Sequence, residues 1–394
     1  MFKKTVLCSK KQQNRSFDQT LDKLSTKFST ICPLFKQNLC CMKGSSQEAI
    51  SYITQSIKEL GYQGKFIFES CIPEGFRLKT KLAVRGTSDH PLIGLFKEGT
   101  HDVIDMSSCL MHHPLINQFI NHLKECIKTL KIAPYDEKSH KGCLRYVQCL
   151  VNDLSKLQVV LVVNDGLFDV DGLIEALSQK IKIASLWLNH QKQISNTIFS
   201  EHFEHVYGEE LIAYHVMGKT IYFHPGSFCQ SNLIFFETIL KDVEAFLPSL
   251  AKAYDLYSGV GLFGICLESK FEHVDFVETN LFSKLAFEAS TKENSFSKGK
   301  FFNSDVKEFL PSHLDADCMI VDPPRKGLEK SLKPLLGMIK QGAYLVYVSC
   351  GYLSLVRDLK ELLDLGFHIE LIKGYECFPG SGEIETLCIL KKSG

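Results

Sequence analysis

The sequence predicts an α/β fold in its C-terminal part, a mostly parallel sheet with helices on both faces, preceded by an α+β central domain and a short cysteine-containing segment. Three observations carry this expectation. From about Pro225 onward, short apolar runs alternate with amphipathic stretches, the pattern of β–α–β units. Between Phe76 and Tyr222, β-like runs dominate and two helical stretches interrupt them. Finally, 394 residues exceed what one ordinary core fills, so two domains are expected.

Taken in order, residues 1–30 are rich in Lys, Gln, Ser and Thr with weak periodicity, which reads as a flexible tail. Residues 31–75 hold cysteines and one helix. In Ser46–Leu60, Ile50, Ile53, Ile57 and Leu60 fall at helical spacing, Ser45 or Ser46 can cap the start, and Gly61 closes it. The central domain, 76–222, has strands at Thr80–Val84, Leu144–Leu150, Leu157–Val163, Ser185–Leu188 and Thr220–Phe223, with helices at Pro114–Leu130 and Leu173–Gln179. In 223–394 the strands are Ala253–Tyr257, Val274–Glu278, Lys300–Asn303, Cys318–Val321, Ala343–Val348, His368–Lys373 and Glu385–Leu390. The helices between them include Phe282–Asn294 and Leu353–Leu365. Ligands of such a sheet bind beyond the carboxyl ends of its strands, so residues just after each strand are the candidates.

Charge and composition exclude several classes. The 45 Lys+Arg balance 45 Asp+Glu, so any nucleic-acid contact must come from local patches. Apolar runs such as Leu157–Val163 and Ala343–Val348 fall far short of the roughly 20 residues of a membrane span. No signal peptide is legible at Met1–Cys8. A soluble, cytoplasmic, monomeric protein without a membrane partner is expected. The 15 cysteines are scattered and odd in number, unlike a disulfide framework, so most should be reduced and buried.

The first C-terminal strand runs into Asp255-Leu256-Tyr257-Ser258-Gly259-Val260-Gly261-Leu262-Phe263-Gly264. Its glycines satisfy G-x-G-x-x-G, which fits a dinucleotide turn as well as a methyl-donor turn. Asp255 adds negative charge where a pyrophosphate would sit, and the turn follows a large preceding domain. Both favour S-adenosylmethionine, whose ammonium and sulfonium tolerate that charge, in a Rossmann-like domain. Glu278 closes the second strand, where one carboxylate can take both ribose hydroxyls; otherwise it is a solvated strand-end acid. Asp305 can accept from the adenine amino group or cap a helix at Val306–Leu310, and both can hold.

The fourth strand leads into Asp322-Pro323-Pro324-Arg325-Lys326-Gly327, where two prolines fix a carboxylate at the strand mouth. Asp-Pro-Pro suits methyl transfer to a flipped base. Enzymes that methylate exocyclic amino groups usually place an aromatic residue after the prolines, and here stands Arg325. The fifth strand delivers Cys350 at its carboxyl end, before a helix N-terminus that is expected to lower its pKa. Carbon 5 of uracil is a poor nucleophile until a thiolate adds at carbon 6, and a base must then remove the carbon-5 proton. Glu383 and Glu385 are placed on one strand face, and Glu385 is the favoured base.

Asp255–Gly264, Asp322–Gly327, Ser349-Cys350 and Phe378–Glu385, in this order, resemble the bacterial RNA uracil-C5 methyltransferases over about residues 32–394. Phe223–Asn232 resembles the segment that opens that family's catalytic domain and contributes a glutamine to the donor site. The resemblance implies Gln230, Tyr257, Gly259, Glu278, Asp305 and Asp322 at or near the donor, Cys350 as nucleophile and Glu385 as base. Phe76–Lys81 with Pro91–Gly94 is similar to the short 23S ribosomal RNA branch, which lacks a TRAM domain, so 23S rRNA is the expected substrate and tRNA the alternative. Two departures flank the reactive groups: Gly351-Tyr352 where the family has Asn-Pro or Asn-Ala, and Gly380-Ser381 where it has His-Thr. Ribosomal relatives carry a four-cysteine [4Fe-4S] cluster. Cys32 and Cys40 match its first pair and Cys109 the fourth; position 43, where the third would fall, is Lys, so either Cys41 replaces it through a rearranged loop or these cysteines are left from a lost cluster.

In Phe76–Arg85 basic and apolar side chains alternate, so one strand face can present Arg and Lys to phosphates; alone, such a strand is more often a solvated face. Three rival functions differ in what they must explain. An RNA cytosine-C5 methyltransferase resembles its own class in a cysteine right after the motif proline, absent here. A dehydrogenase leaves Cys350 and Asp322 unused. An RNA-binding or ribosome-assembly protein with decayed activity would be consistent with Gly351 and Gly380.

Overall fold

The computed structural model describes residues 46–71, 74–164, 168–195 and 197–393. The 1–30 tail and Cys32, Cys40 and Cys41 lie outside the described residues. The described residues open with the helix Ser46–Glu59 and a short strand β1, Ile67–Ser70. A seven-stranded sheet follows: β2 Lys79–Gly86, β3 Pro91–Phe96, β4 Val103–Asp105, β5 Leu144–Val151, β6 Leu157–Val163, β7 Ile183–His190 and β8 Phe203–Gly208. Its order is β4-β3-β2-β5-β6-β7-β8, antiparallel except for β6 against β7.

The central strands β5 and β6 are buried on both faces, and the pleat decides which core each side chain enters. Leu82, Val84, Ile93, Val147, Cys149, Val159 and Leu161 form one core with the helix Pro114–Thr129 and with Leu173 and Leu177 of the helix Val170–Ser178. The opposite face carries Lys79, Lys81 and Arg85, since successive strand residues alternate. The alternation in the sequence thus had the right period, but this face is largely turned inward. Lys79 Nζ donates to the carbonyl of Ser227 at 3.2 Å, Arg85 is buried and ion-paired with Glu137, and Lys81 sits over the Phe199 ring at 4.3 Å.

A hairpin of β9 Ile212–Val216 and β10 Lys219–Phe223 leads to the second sheet. Its later strands are β11 Leu250–Leu256, β12 Phe271–Val277, β13 Phe301–Phe302, β14 Cys318–Val321, β15 Tyr344–Ser349, β16 Phe367–Glu376 and β17 Glu385–Lys392. The order is β1-β16-β17-β15-β14-β11-β12-β13. β11, β12, β13, β14 and β15 pair in parallel, and β17 enters antiparallel between β15 and β16. One face packs on the helices Leu233–Phe246 and Leu281–Glu293. The other packs on Ser46–Glu59 and Tyr352–Asp364. This is the α/β arrangement expected from the alternation. No helix among the described residues is long and apolar enough to cross a membrane.

The differences from the expected elements have local causes. The helix Leu233–Phe246 (LIFFETILKDVEAF) opens with apolar residues on nearly every face, which hides a 3.6-residue period. β1 and β8 are edge strands with mostly exposed or half-buried side chains, so neither shows clean alternation. The helix Ser46–Glu59 and β1 are built into the C-terminal sheet: Ile53 and Ile57 enter its core and Ile67–Ser70 pairs with Lys373–Glu376.

Candidate active site

β11 pairs with β12 on one side and β14 on the other, so the strand order reverses there, and a crevice opens beyond the carboxyl ends. The crevice is a cleft of about 680 Å3. All eight side chains or turns expected at a catalytic or donor position line it: Gln230, Tyr257, Gly259, Glu278, Asp305, Asp322, Cys350 and Glu385.

One wall of the cleft begins at the turn after β11. Gly261, at φ +81°, is the N-cap of the short helix Leu262–Cys266. A Cβ there would stand 2.7 Å from the Phe287 ring, so both conformation and space require glycine. Asp255 is not part of the cleft. Its carboxylate is 2 % exposed and accepts from the Gly264 amide at 2.9 Å, holding the turn instead of repelling a ligand's phosphates. Burial, with Asp322 and Glu278 nearby, pushes it up to about 7. Glu278 braces the same turn, accepting from the amides of Gly259 at 3.2 Å and Asn280 at 2.9 Å. Asp305 caps the helix Val306–Phe309 by accepting from the Lys307 amide at 2.9 Å while lining the cleft, so it serves as a cap without leaving the site.

The opposite wall, with Asp322, Cys350 and Glu385, is set by sheet register. Ser349, the last residue of β15, faces Thr386 of β17, which brings Cys350 beside Glu385. Asp322, one residue past β14, accepts from Gln230 Nε2 at 3.3 Å. Burial pushes Asp322 up to about 7 and, together with the charges of Asp322 and Glu383, pushes Glu385 up to about 8. Glu385 is 6 % exposed and starts β17. Glu383 precedes the strand, so the two glutamates do not share a strand face, and it is ion-paired with Arg325.

The Cys350 thiol corrects an expectation. A helix does begin at Tyr352, but burial, with the charges of Glu385 and Asp322, raises the thiol to about 11, against a smaller opposing effect of Arg325. Two carboxylates and desolvation outweigh the helix N-terminus, so the resting residue is a thiol.

The loop after Asp322 is pinned to the helix that follows Cys350. Buried Asp358 pairs with buried Lys333 at 2.8 Å and accepts from the Leu328 amide and the Tyr347 hydroxyl, each at 2.8 Å. Ser354 Oγ donates to the Arg325 carbonyl at 2.9 Å. A Cβ on Gly351 would lie 2.8 Å from that same carbonyl oxygen. The glycine is therefore the residue that lets this loop close over the helix start.

Sequence reasoning did not place Arg77, Phe228, Arg325, Glu329 or Phe378 in the cleft. Arg77 comes from the first sheet's domain, bridges to His112, and holds its guanidinium 5.9 Å from the Phe378 ring. The signal available was the basic start of Phe76–Arg85, read as a face presenting Arg and Lys to phosphates and not as part of the cleft. Cys109 is buried and lies outside the cleft. Among the described residues no group of three or more ligating side chains is placed to hold a metal ion.

The chain is similar to known proteins along most of its length. The family model described as tRNA (Uracil-5-)-methyltransferase matches residues 43–393. An uncharacterized RNA methyltransferase of Protochlamydia amoebophila is 34% identical over 360 residues, 88% of this chain and 92% of the relative. A second, from Fusobacterium nucleatum, is 27% identical over 310 residues, 76% of this chain and 67% of the relative. Among solved structures, the Pyrococcus abyssi tRNA (uracil-54, C5)-methyltransferase in complex with S-adenosyl-L-homocysteine superposes with a TM-score of 0.73 at 26% identity, covering 88% of this chain and 83% of that one.

Proposed function

The chain belongs to the tRNA (uracil-5-)-methyltransferase family, and from that premise we propose that it methylates carbon 5 of a uridine in RNA, with Cys350 as nucleophile and Glu385 as base. The observation that carries this is the composition of the cleft: Asp322 and Cys350, just past the carboxyl ends of β14 and β15, meet Glu385 at the start of antiparallel β17. The same lining has six carboxylates, from Glu278, Asp305, Asp322, Glu329, Glu383 and Glu385, against two cations, Arg77 and Arg325. Such a lining suits a donor with an ammonium, a sulfonium and a ribose diol, and repels a pyrophosphate.

Gln230, Tyr257, Gly259, Glu278, Asp305 and Asp322 would hold S-adenosylmethionine, which supplies an electrophilic methyl group when bound. Cys350 Sγ bonds to carbon 6 of the uracil as its proton passes to Asp322, whose raised proton affinity suits that role. Carbon 5, now enolate-like, would bond to the methyl carbon as the methyl–sulfur bond of the donor breaks, leaving the donor as a neutral thioether, S-adenosylhomocysteine. Glu385 removes the carbon-5 proton, the double bond re-forms, and the Cys350–carbon 6 bond breaks with Sγ leaving as thiolate to regain a proton.

Phe76–Lys81 with Pro91–Gly94 favours 23S rRNA as substrate; the substrate in the Pyrococcus abyssi neighbour's name favours tRNA as the second reading. Incubation with labelled methyl donor and each unmodified RNA, followed by nucleoside analysis, decides between them. We expect 5-methyluridine in ribosomal RNA; a label recovered only as 5-methylcytidine would overturn the reaction itself. The proposal extends to a [4Fe-4S] cluster on Cys32, Cys40, Cys41 and Cys109, a donor set of the right chemistry. Anaerobically purified protein should carry iron and acid-labile sulfide, and iron-free, colourless protein would remove the cluster.

A further inference from the structure

At the end of β2 remote from the cleft lies a second cavity of about 860 Å3. Arg85, Arg145, Tyr135, Lys138, His101 and His140 line it. Three carboxylates also line it, from Asp102, Asp136 and Glu137. Glu137 is ion-paired with Arg85, and Asp136 accepts from the amide and hydroxyl of Ser139 at 2.7 and 2.6 Å.

Arg145 is the unusual member. It is 2 % exposed, its Nη1 donates to the carbonyls of Gln191 at 2.6 Å and Gln193 at 2.9 Å, and its guanidinium stands 4.5 Å from the Tyr135 ring. Its Nε has no partner among the described residues. Among the described residues every partner of Arg145 is neutral, so its positive charge is held in the cavity wall by carbonyl dipoles and a ring face. A buried charge without a counter-charge is costly, and a planar guanidinium is matched best by a phosphate or carboxylate. Exposed Lys138, His101 and His140 around the opening add donors for the same kind of ligand.

β2 connects this cavity to the catalytic cleft. Arg77 lines the cleft and Arg85 lines the cavity. Eight residues of nearly extended chain put them roughly 26 Å apart. We propose that the cavity binds a phosphodiester group of the substrate RNA several nucleotides from the target uridine, so that one strand of the first sheet sets the distance between anchor and reacting base. This rests on the reading of the chain as an RNA methyltransferase and names a site which that reading does not contain.

The test compares RNA binding by wild type, Lys138→Glu and Arg145→Met. Lys138 is exposed, so Lys138→Glu tests the site even where Arg145→Met unfolds, and melting temperatures identify the folded variants. The probes are a substrate RNA of about thirty nucleotides and a trinucleotide centred on the target uridine, too short to reach both sites. For the long RNA we expect about a tenfold weaker dissociation constant and a salt slope reduced by about one for each lost phosphate contact, with trinucleotide binding unchanged. Wild-type affinity and salt slope in folded Lys138→Glu would overturn the anchor. So would an equal loss for the trinucleotide, which would place the effect in the cleft. The readout is binding, so it answers separately from the proposed methyl transfer.

Discussion

Replacing Cys350 with alanine is expected to lower the rate of methyl transfer by roughly four orders of magnitude or more, the scale on which an essential nucleophile acts, while donor affinity stays within about threefold. The split follows from position. Gln230, Tyr257, Gly259, Glu278 and Asp305 sit on the segment before β11 and at the ends of β11, β12 and β13, whereas Cys350 follows β15. Truncating a half-buried thiol removes little packing and relieves a group whose ionisation burial opposes. Folding should therefore be unharmed. Single-turnover kinetics with labelled donor, alongside equilibrium binding of S-adenosylhomocysteine, check both halves. Transfer that survives in the alanine variant would show that no thiol adduct is formed, and a loss of donor binding equal to the loss of rate would show that Cys350 belongs to the donor pocket.

Which parts of this arrangement were legible in the sequence depends on what each part needs. Asp322 was readable because the buried strand before it, Cys318–Val321, is an unbroken apolar run whose first polar residue marks the mouth of the sheet. Tyr257 and Glu278, by contrast, follow strands that already carry charged residues and were readable from the glycine turn and the β–α alternation. Cys350 was readable for the same reason as Asp322. Its protonation state was not, since that depends on Glu385 and Asp322, residues 35 and 28 positions away along the chain that only the pairing of β15 with β17 and β14 brings close. The helix N-terminus was the one local influence, and it is the weaker one. Arg77 illustrates the opposite limit: the alternation of Phe76–Arg85 marks it as one cation of a strand face, but only the packing of the two sheets puts it in the cleft. Asp255 was correctly singled out but given the wrong target, because sequence order cannot say whether an acid beside a glycine turn faces the ligand or the turn's own amides. Gly351 reads as a defect against the family pattern and as a requirement against the Arg325 carbonyl.

The Glu385→Gln variant is expected to separate bond formation from release. Glutamine keeps the shape and removes the base, so Cys350 addition and methyl transfer can proceed while the carbon-5 proton stays in place and the carbon–sulfur bond cannot break. Turnover should fall by about 10²- to 10⁴-fold, and a protein–RNA adduct that resists denaturant should accumulate, carrying the transferred methyl group. The pH dependence adds a second signature. Burial and neighbouring carboxylates push Glu385 up to about 8, so below that pH the fraction able to accept a proton falls about tenfold per pH unit. Where proton removal limits turnover, the wild-type rate should climb with pH and level off near 8, and the variant's residual rate should lose that limb. Arg325 opposes the rise in Glu385, so Arg325→Met should move the limb to higher pH while leaving its slope unchanged. An adduct that fails to form in Glu385→Gln but does form in Glu383→Gln would exchange the two glutamates' roles, which the position of Glu383 outside β17 and in an ion pair with Arg325 argues against.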